Sequence, residues 1–166
     1  VSKTYADLIV QEYGKNIGLK TVCFRAGCLT GPNHSGAKLH GFLSYLVKIC
    51  IAKKEYSLIG YKGKQVRDNL HSYDLVNSFW QFFKKPTKGE VYNIGGGRFS
   101  NCSIIEALNL VEQVTNVSIK KKIIKKPRVG DHIWYISNLS KFRKHYPNWK
   151  QKYNTKKIIE ELIDNS

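Results

Sequence analysis

Two arginine–aspartate groupings are the residues best suited to chemistry: Arg67 beside Asp68, and Arg128 three positions before Asp131. A guanidinium is always charged, and its planar fork meets phosphate oxygens two at a time. Such groupings therefore suit a phosphate-bearing ligand. On spacing alone the plainer reading, surface charges that happen to be close in sequence, is the stronger. Lys3 stands at the start of an amphipathic stretch and alone reads as an exposed lysine. The four cysteines, 23, 28, 50 and 102, form no C-x-x-C pair, so neither a zinc site nor a redox dithiol is signalled. Cys23 and Cys50 lie in apolar runs and read as small core residues in a reducing compartment. Cys28 has no histidine partner that would make it a nucleophile. Gly95-Gly96-Gly97 follows a strand pattern but lacks the G-x-G-x-x-G spacing and the following acid, so it reads as a turn.

The elements that must carry these residues alternate between helical and extended. Residues 3–14 place Tyr5, Leu8, Ile9 and Tyr13 at helical spacing. Residues 19–24 form a short β-branched strand, and a Gly/Pro/Asn/Ser loop follows at 31–36. Helices are expected over 39–53, 73–83, 138–145 and 154–164, and strands over 56–60, 90–94 and 117–124. Ser103 and Glu106 form a capping box that opens a further helix with Leu108, Val111 and Val114 inward. The mixture is α/β, with strands too scattered for a whole doubly wound sheet.

At 166 residues, 42% hydrophobic and 24% charged, the chain is long enough for a real core. No apolar run approaches membrane-spanning length and no signal peptide opens the chain, so a cytoplasmic protein is expected. Val1 and the absence of Met suggest an internal piece of a longer protein. The net charge of +16 raises nucleic acid as a partner. The lysines are spread out, however, and the one dense run, 120–126, resembles an exposed strand; no zinc-finger spacing or RRM signature accompanies it. A solvated lysine surface is the favoured reading, and a basic nucleic-acid-binding module is the rival.

Five motifs, in order, resemble the extended short-chain dehydrogenase/reductase family, specifically its nucleotide-sugar epimerases and dehydratases. Val1-Ser2-Lys3 with its helix resembles the end of a Tyr-x-x-x-Lys element, and 25–32 (RAGCLTGP) resembles the strand-to-loop segment ending in Gly-Pro. Residues 63–76 resemble the Arg-Asp-x-x-His-x-x-Asp block, with 92–96 (YNIGG) and 128–131 (RVGD) as later landmarks. The stretches 63–71 (GKQVRDNLH) and 38–45 (KLHGFLSY) resemble most the epimerases that act on a CDP-deoxyhexose at C2.

The resemblance implies the C-terminal portion of a Rossmann-like α/β fold: residues 1–32 end the dinucleotide domain and 33–166 are mainly substrate-binding, with 64–95 returning to the sheet. The N-terminal half would be missing. It implies NAD as cofactor, transient oxidation of a sugar carbon to a ketone, and hydride return to the other face. Lys3 would lower the pKa of a tyrosine four residues earlier, on the same helix face. Lys3, Arg25, Ala26, Gly27 and Cys28 would border the cofactor, although relatives place an asparagine where Cys28 stands. Lys38, Leu39 and His40 would cover the sugar phosphate, while Ser57, Leu58 and Ile59 flank the base. Arg67 and Arg128 would grip the diphosphate, and Asp131 would accept from a ribose hydroxyl. His71 would hold the Arg67 loop. No metal is implied. The partners would be a nucleoside-diphosphate sugar, a CDP-sugar by preference, and a second copy joined through helix 3–14. The 166 residues alone would not turn over and would bind NAD very weakly or not at all. A 4,6-dehydratase or C4 epimerase of the same family is the alternative.

Overall fold

The computed structural model describes residues 1–34, 36, 37 and 41–166, so Lys38, Leu39 and His40 lie outside the described residues. The chain opens with α1 (Ser2–Lys15), whose one buried residue is Gly14. A Cβ there would lie 2.1 Å from the Gly89 nitrogen, so the helix docks by backbone contact. Leu19 N–H then donates to Tyr13 carbonyl, and 19–21 are used in leaving the helix. Strand β1 (Val22–Ala26) therefore begins later than its apolar pattern suggests.

After β1 come β2 (Cys28–Thr30), α2 (Phe42–Ile51) and β3 (Tyr56–Ile59), then a 3₁₀ turn at Tyr61–Gly63. Strand β4 (Val66–His71) follows and leads directly into α3 (Ser72–Lys84). The remainder is β5 (Glu90–Ile94), β6 (Asn101–Ser103), α4 (Ile104–Thr115), β7 (Lys121–Ile124), β8 (Trp134–Tyr135), α5 (Ser140–His145) and α6 (Thr155–Asp164). β1 pairs with β5 in parallel, Val22 opposite Glu90. β4 pairs with β2 in parallel, with β6 antiparallel and with β8 in parallel. β3 and β7 form a separate parallel ribbon.

β4, β6 and β8 were not legible as strands. β4 reads Val-Arg-Asp-Asn-Leu-His, yet its last four residues are buried. They are tolerated because each polar side chain has at least one partner: Asp68 Oδ2 accepts from Gly97 N–H at 2.9 Å, Asn69 Nδ2 donates to Arg67 carbonyl at 3.3 Å, and His71 Nδ1 accepts from Tyr73 N–H at 3.0 Å. His71 thus caps α3, and its other ring nitrogen meets Glu161 of α6.

Two cores result. One joins α2, β3, α4 and α6 around Leu46, Leu108, Val111, Ile158 and Ile159. The other packs Leu70, Tyr92, Ile94, Phe142, Tyr146 and Trp149. Cys23 and Cys50 are buried, as their apolar surroundings suggest, and Cys102 joins them. The lysine-rich segment is the largely exposed strand β7. Among the described residues no helix is long and apolar enough to cross a membrane.

Candidate active site

Strand β3 alternates strictly: Tyr56 and Leu58 are buried, Ser57 and Ile59 half-buried. Leu58 belongs to the first core, so any contact it makes with a ligand would be through its backbone. Ser57 and Ile59 turn the other way. They line a cavity of about 50 Å³ with Tyr56, Gln65 and Arg128. That volume holds a water or two, so a larger guest needs the walls to part. Burial pushes the Tyr56 hydroxyl up to about 12, with the Arg128 charge working against it. Gln65 donates its amide N–H to Ile59 carbonyl at 3.0 Å, while its amide oxygen is buried and has no partner among the described residues.

Arg67 lies one residue into β4 and reaches across to the loop before β8. Its Nη2 donates to Asp131 Oδ1 at 2.7 Å, and its Nη1 to Val66 carbonyl at 2.7 Å. The two side chains are 13% and 7% exposed. Asp131 Oδ2 is buried and has no partner among the described residues. Asp131 N–H donates to Arg128 carbonyl at 3.2 Å, and this turn links the Arg67–Asp131 pair to the Arg128 cavity.

Asp68 is the residue that sequence reasoning missed as an organiser. It is fully buried, and its Oδ2 accepts from Gly97 N–H and Ser137 N–H, both at 2.9 Å. The triglycine turn is thereby occupied: Gly97 has given its N–H, and a Cβ at Gly96 would lie 2.0 Å from Ser100 carbonyl oxygen. No phosphate cradle is open there, in keeping with the turn reading. A Cβ at Gly27 would meet Asp68 Oδ1 at 2.5 Å, so glycine allows the chain to pass over the carboxylate between β1 and β2. The signal available beforehand was only an acid beside Arg67; its partners lie tens of positions away.

Cys28 lines a second cavity, of about 260 Å³, with Thr30, His34, Phe42 and Asn69. Burial, and then the Asp68 charge, hold its thiol above the usual range, which is the wrong direction for a nucleophile. Arg25 Nη2 and Nε donate to Asp7 of α1 at 2.8 and 3.0 Å, so its guanidinium is engaged on the helix side of β1. Ala26 pairs with Ile94, and Gly27 N–H donates to Ile94 carbonyl at 2.9 Å. Lys3 is exposed on the first turn of α1 and makes no ion pair among the described residues. The structure thus forms three groups: Ser57, Ile59 and Arg128; Arg67 and Asp131; and the β1–β2 junction from Ala26 to Cys28.

The model of the NAD dependent epimerase/dehydratase family matches residues 1–95. The CDP-paratose 2-epimerase of Salmonella typhi is 25% identical over 170 residues, covering 98% of this chain and 49% of that protein. A crystal structure of UDP-glucuronic acid 4-epimerase from Bacillus cereus, in complex with UDP-glucuronic acid and NAD, superposes with a TM-score of 0.84 at 22% identity. It covers 98% of this chain and 50% of that one. UDP-glucose 4-epimerase from Thermotoga maritima, with UDP-glucose, gives 0.85 at 20% identity over 98% of this chain and 51% of that one. These likenesses show a shared α/β fold. The chain spans about half the length of the relatives it matches.

Proposed function

The chain belongs to the NAD dependent epimerase/dehydratase family, and from that we propose that it is the substrate-binding portion of a nucleotide-sugar epimerase, with a CDP-deoxyhexose inverted at C2 as its reaction. The observation that carries this reading is the meeting of Ser57, Ile59 and Arg128 around one cavity, joined by a short turn to Arg67 and Asp131. Always-charged donors beside a half-apolar slot suit a base linked to a diphosphate. The Oδ2 of Asp131, without a partner among the described residues, is an acceptor suited to a ribose hydroxyl, while Oδ1 holds Arg67. Ser57 and Ile59, with the Leu58 backbone between them, would flank the base. Lys38, Leu39 and His40 would lie over the sugar phosphate.

In this reading NAD, when bound, accepts and returns one hydride. Lys3 and the Ala26–Cys28 junction would face its nicotinamide end; Arg25, held by Asp7, would contribute by backbone. The exposed ammonium of Lys3, free of ion pairs among the described residues, suits stabilising a tyrosinate four residues ahead, which would take the sugar hydroxyl proton. Because the triglycine turn is filled, the pyrophosphate of the cofactor would be held elsewhere in the full-length protein. Residues 1–32 would close the dinucleotide domain and 33–166 mainly bind substrate, with 64–95 returning to the sheet; the β1–β5 pairing supports that division. The four free thiols support a reducing, cytoplasmic setting.

The test is to titrate the full-length Arg67→Ala, Arg128→Ala and Lys120→Ala variants with CDP and with NAD. Each arginine change should weaken CDP binding by about 1.5–3 kcal/mol, roughly tenfold to a hundredfold. Lysine at either position should rescue only in part. NAD binding should be unchanged. Equal loss in Lys120→Ala assigns the effect to general basicity, and parallel loss of NAD assigns the arginines to the fold. Product analysis by NMR separates C2 epimerisation from 4,6-dehydration and C4 epimerisation.

A further inference from the structure

Two segments that carry no acid each give one residue to the lining of the Arg128 cavity: 60–66 gives Gln65 and 120–130 gives Arg128 itself. They are pressed together. Gly60 N–H donates to Ile124 carbonyl at 2.8 Å, and a Cβ at Gly60 would lie 2.7 Å from Pro127 Cα. Lys62 and Lys64 on one segment, and Lys125, Lys126 and Arg128 on the other, are all exposed. None of the five forms an ion pair among the described residues, unlike Lys121, which Glu112 holds at 3.0 Å. The turn that carries Lys62 is also conformationally costly. Four successive residues have positive φ, at 69°, 47°, 53° and 74° from Gly60 to Gly63, and two of them are not glycine.

From this we infer that Lys62, Lys64, Lys125 and Lys126 form an electrostatic funnel that draws a nucleoside diphosphate into the cavity, a role that rests on the nucleotide reading of that cavity. Like charges gathered beside a low-dielectric cleft focus the field at its mouth and raise the association rate of an oppositely charged guest. The four lysines need not touch the bound ligand. Their effect lies in capture and Arg128's in retention. The plainer role, lysines that keep an edge strand from pairing with another molecule, needs no such clustering at the cavity.

Stopped-flow association of CDP, and in parallel UDP, with the full-length protein tests this. At about 10 mM ionic strength, where charges act over roughly 30 Å, changing all four lysines to glutamine should slow association about tenfold and leave dissociation unchanged. The difference should shrink toward 0.15 M salt, where the range falls to about 8 Å. A control carrying Lys85→Gln, Lys88→Gln, Lys144→Gln and Lys150→Gln removes the same charge from other surfaces and should associate as the unmodified protein does. An equal slowing in the control, or association of the unmodified protein that ignores salt, overturns the funnel while leaving the cavity assignment standing. If neither diphosphate binds the unmodified protein, the cavity assignment falls and the funnel with it.

Discussion

Sixty-four positions separate Arg67 from Asp131, yet their side chains meet at 2.7 Å with little water around them. The family resemblance implied a diphosphate contact for one and a ribose contact for the other; it gave no sign of their pairing with each other. The pairing has a cost that can be measured. Removing one partner leaves a largely buried charge without compensation, so Asp131→Ala should lower unfolding stability by about 3 kcal/mol in urea titrations. A change below about 0.5 kcal/mol would mean that water replaces the carboxylate and that the pair is effectively at the surface. Arg25 illustrates the same point: its guanidinium holds Asp7 of α1, a pairing that its motif did not signal.

At the scale of elements, the helices were legible and so were strands β3 and β5, whereas β4, β6 and β8 were not. The helix α4 was readable because its start is local: Ser103 Oγ accepts from Glu106 N–H at 3.2 Å, and the Glu106 carboxylate accepts from Ser103 N–H at 2.7 Å. Ser103→Ala should cost about 1 kcal/mol. The backbone N–H of Ser103 first, and its hydroxyl second, hold Glu106 below its usual 4.5. A lowered carboxylate stabilises the fold above its unfolded value and loses that contribution as pH falls through its folded value. The gap between the unmodified protein and Ser103→Ala should thus be full at neutral pH and narrow as pH falls below the unfolded value of 4.5, as thermal melts above and below it would show. A gap that widens on acidification would contradict the carboxylate's role in the cap. β4 had no such local signal: the Oδ2 of its buried Asp68 finds its partners in Gly97 and Ser137, which belong to other segments.

Across the whole molecule, α1 shows the limit of a periodic pattern. Tyr5, Leu8 and Tyr13 fall at helical spacing, and the helix forms, but the three remain 66%, 58% and 45% exposed. An apolar stripe left open in this way favours association with a further surface, and a second copy is the occupant proposed for it. Leu8→Glu should then weaken self-association by about tenfold to a hundredfold, the worth of one buried leucine. Light scattering across a concentration series reads this directly. A monomer at every concentration, before and after the change, would remove the second copy as the occupant.

Apolar periods, caps and glycine turns were settled by the sequence itself, because each depends on residues within a few positions of one another. The order of motifs along the chain was enough to indicate the family for the same reason: it needs no knowledge of which segments touch. Tertiary structure decided the rest. It turned Leu58 into the core and Ser57 and Ile59 toward Arg128, gave Arg67 to Asp131 and Arg25 to Asp7, and filled the triglycine turn with the Asp68 carboxylate. A buried charge or a polar strand is stable only with partners. Those partners come from distant segments, so no local pattern specifies them.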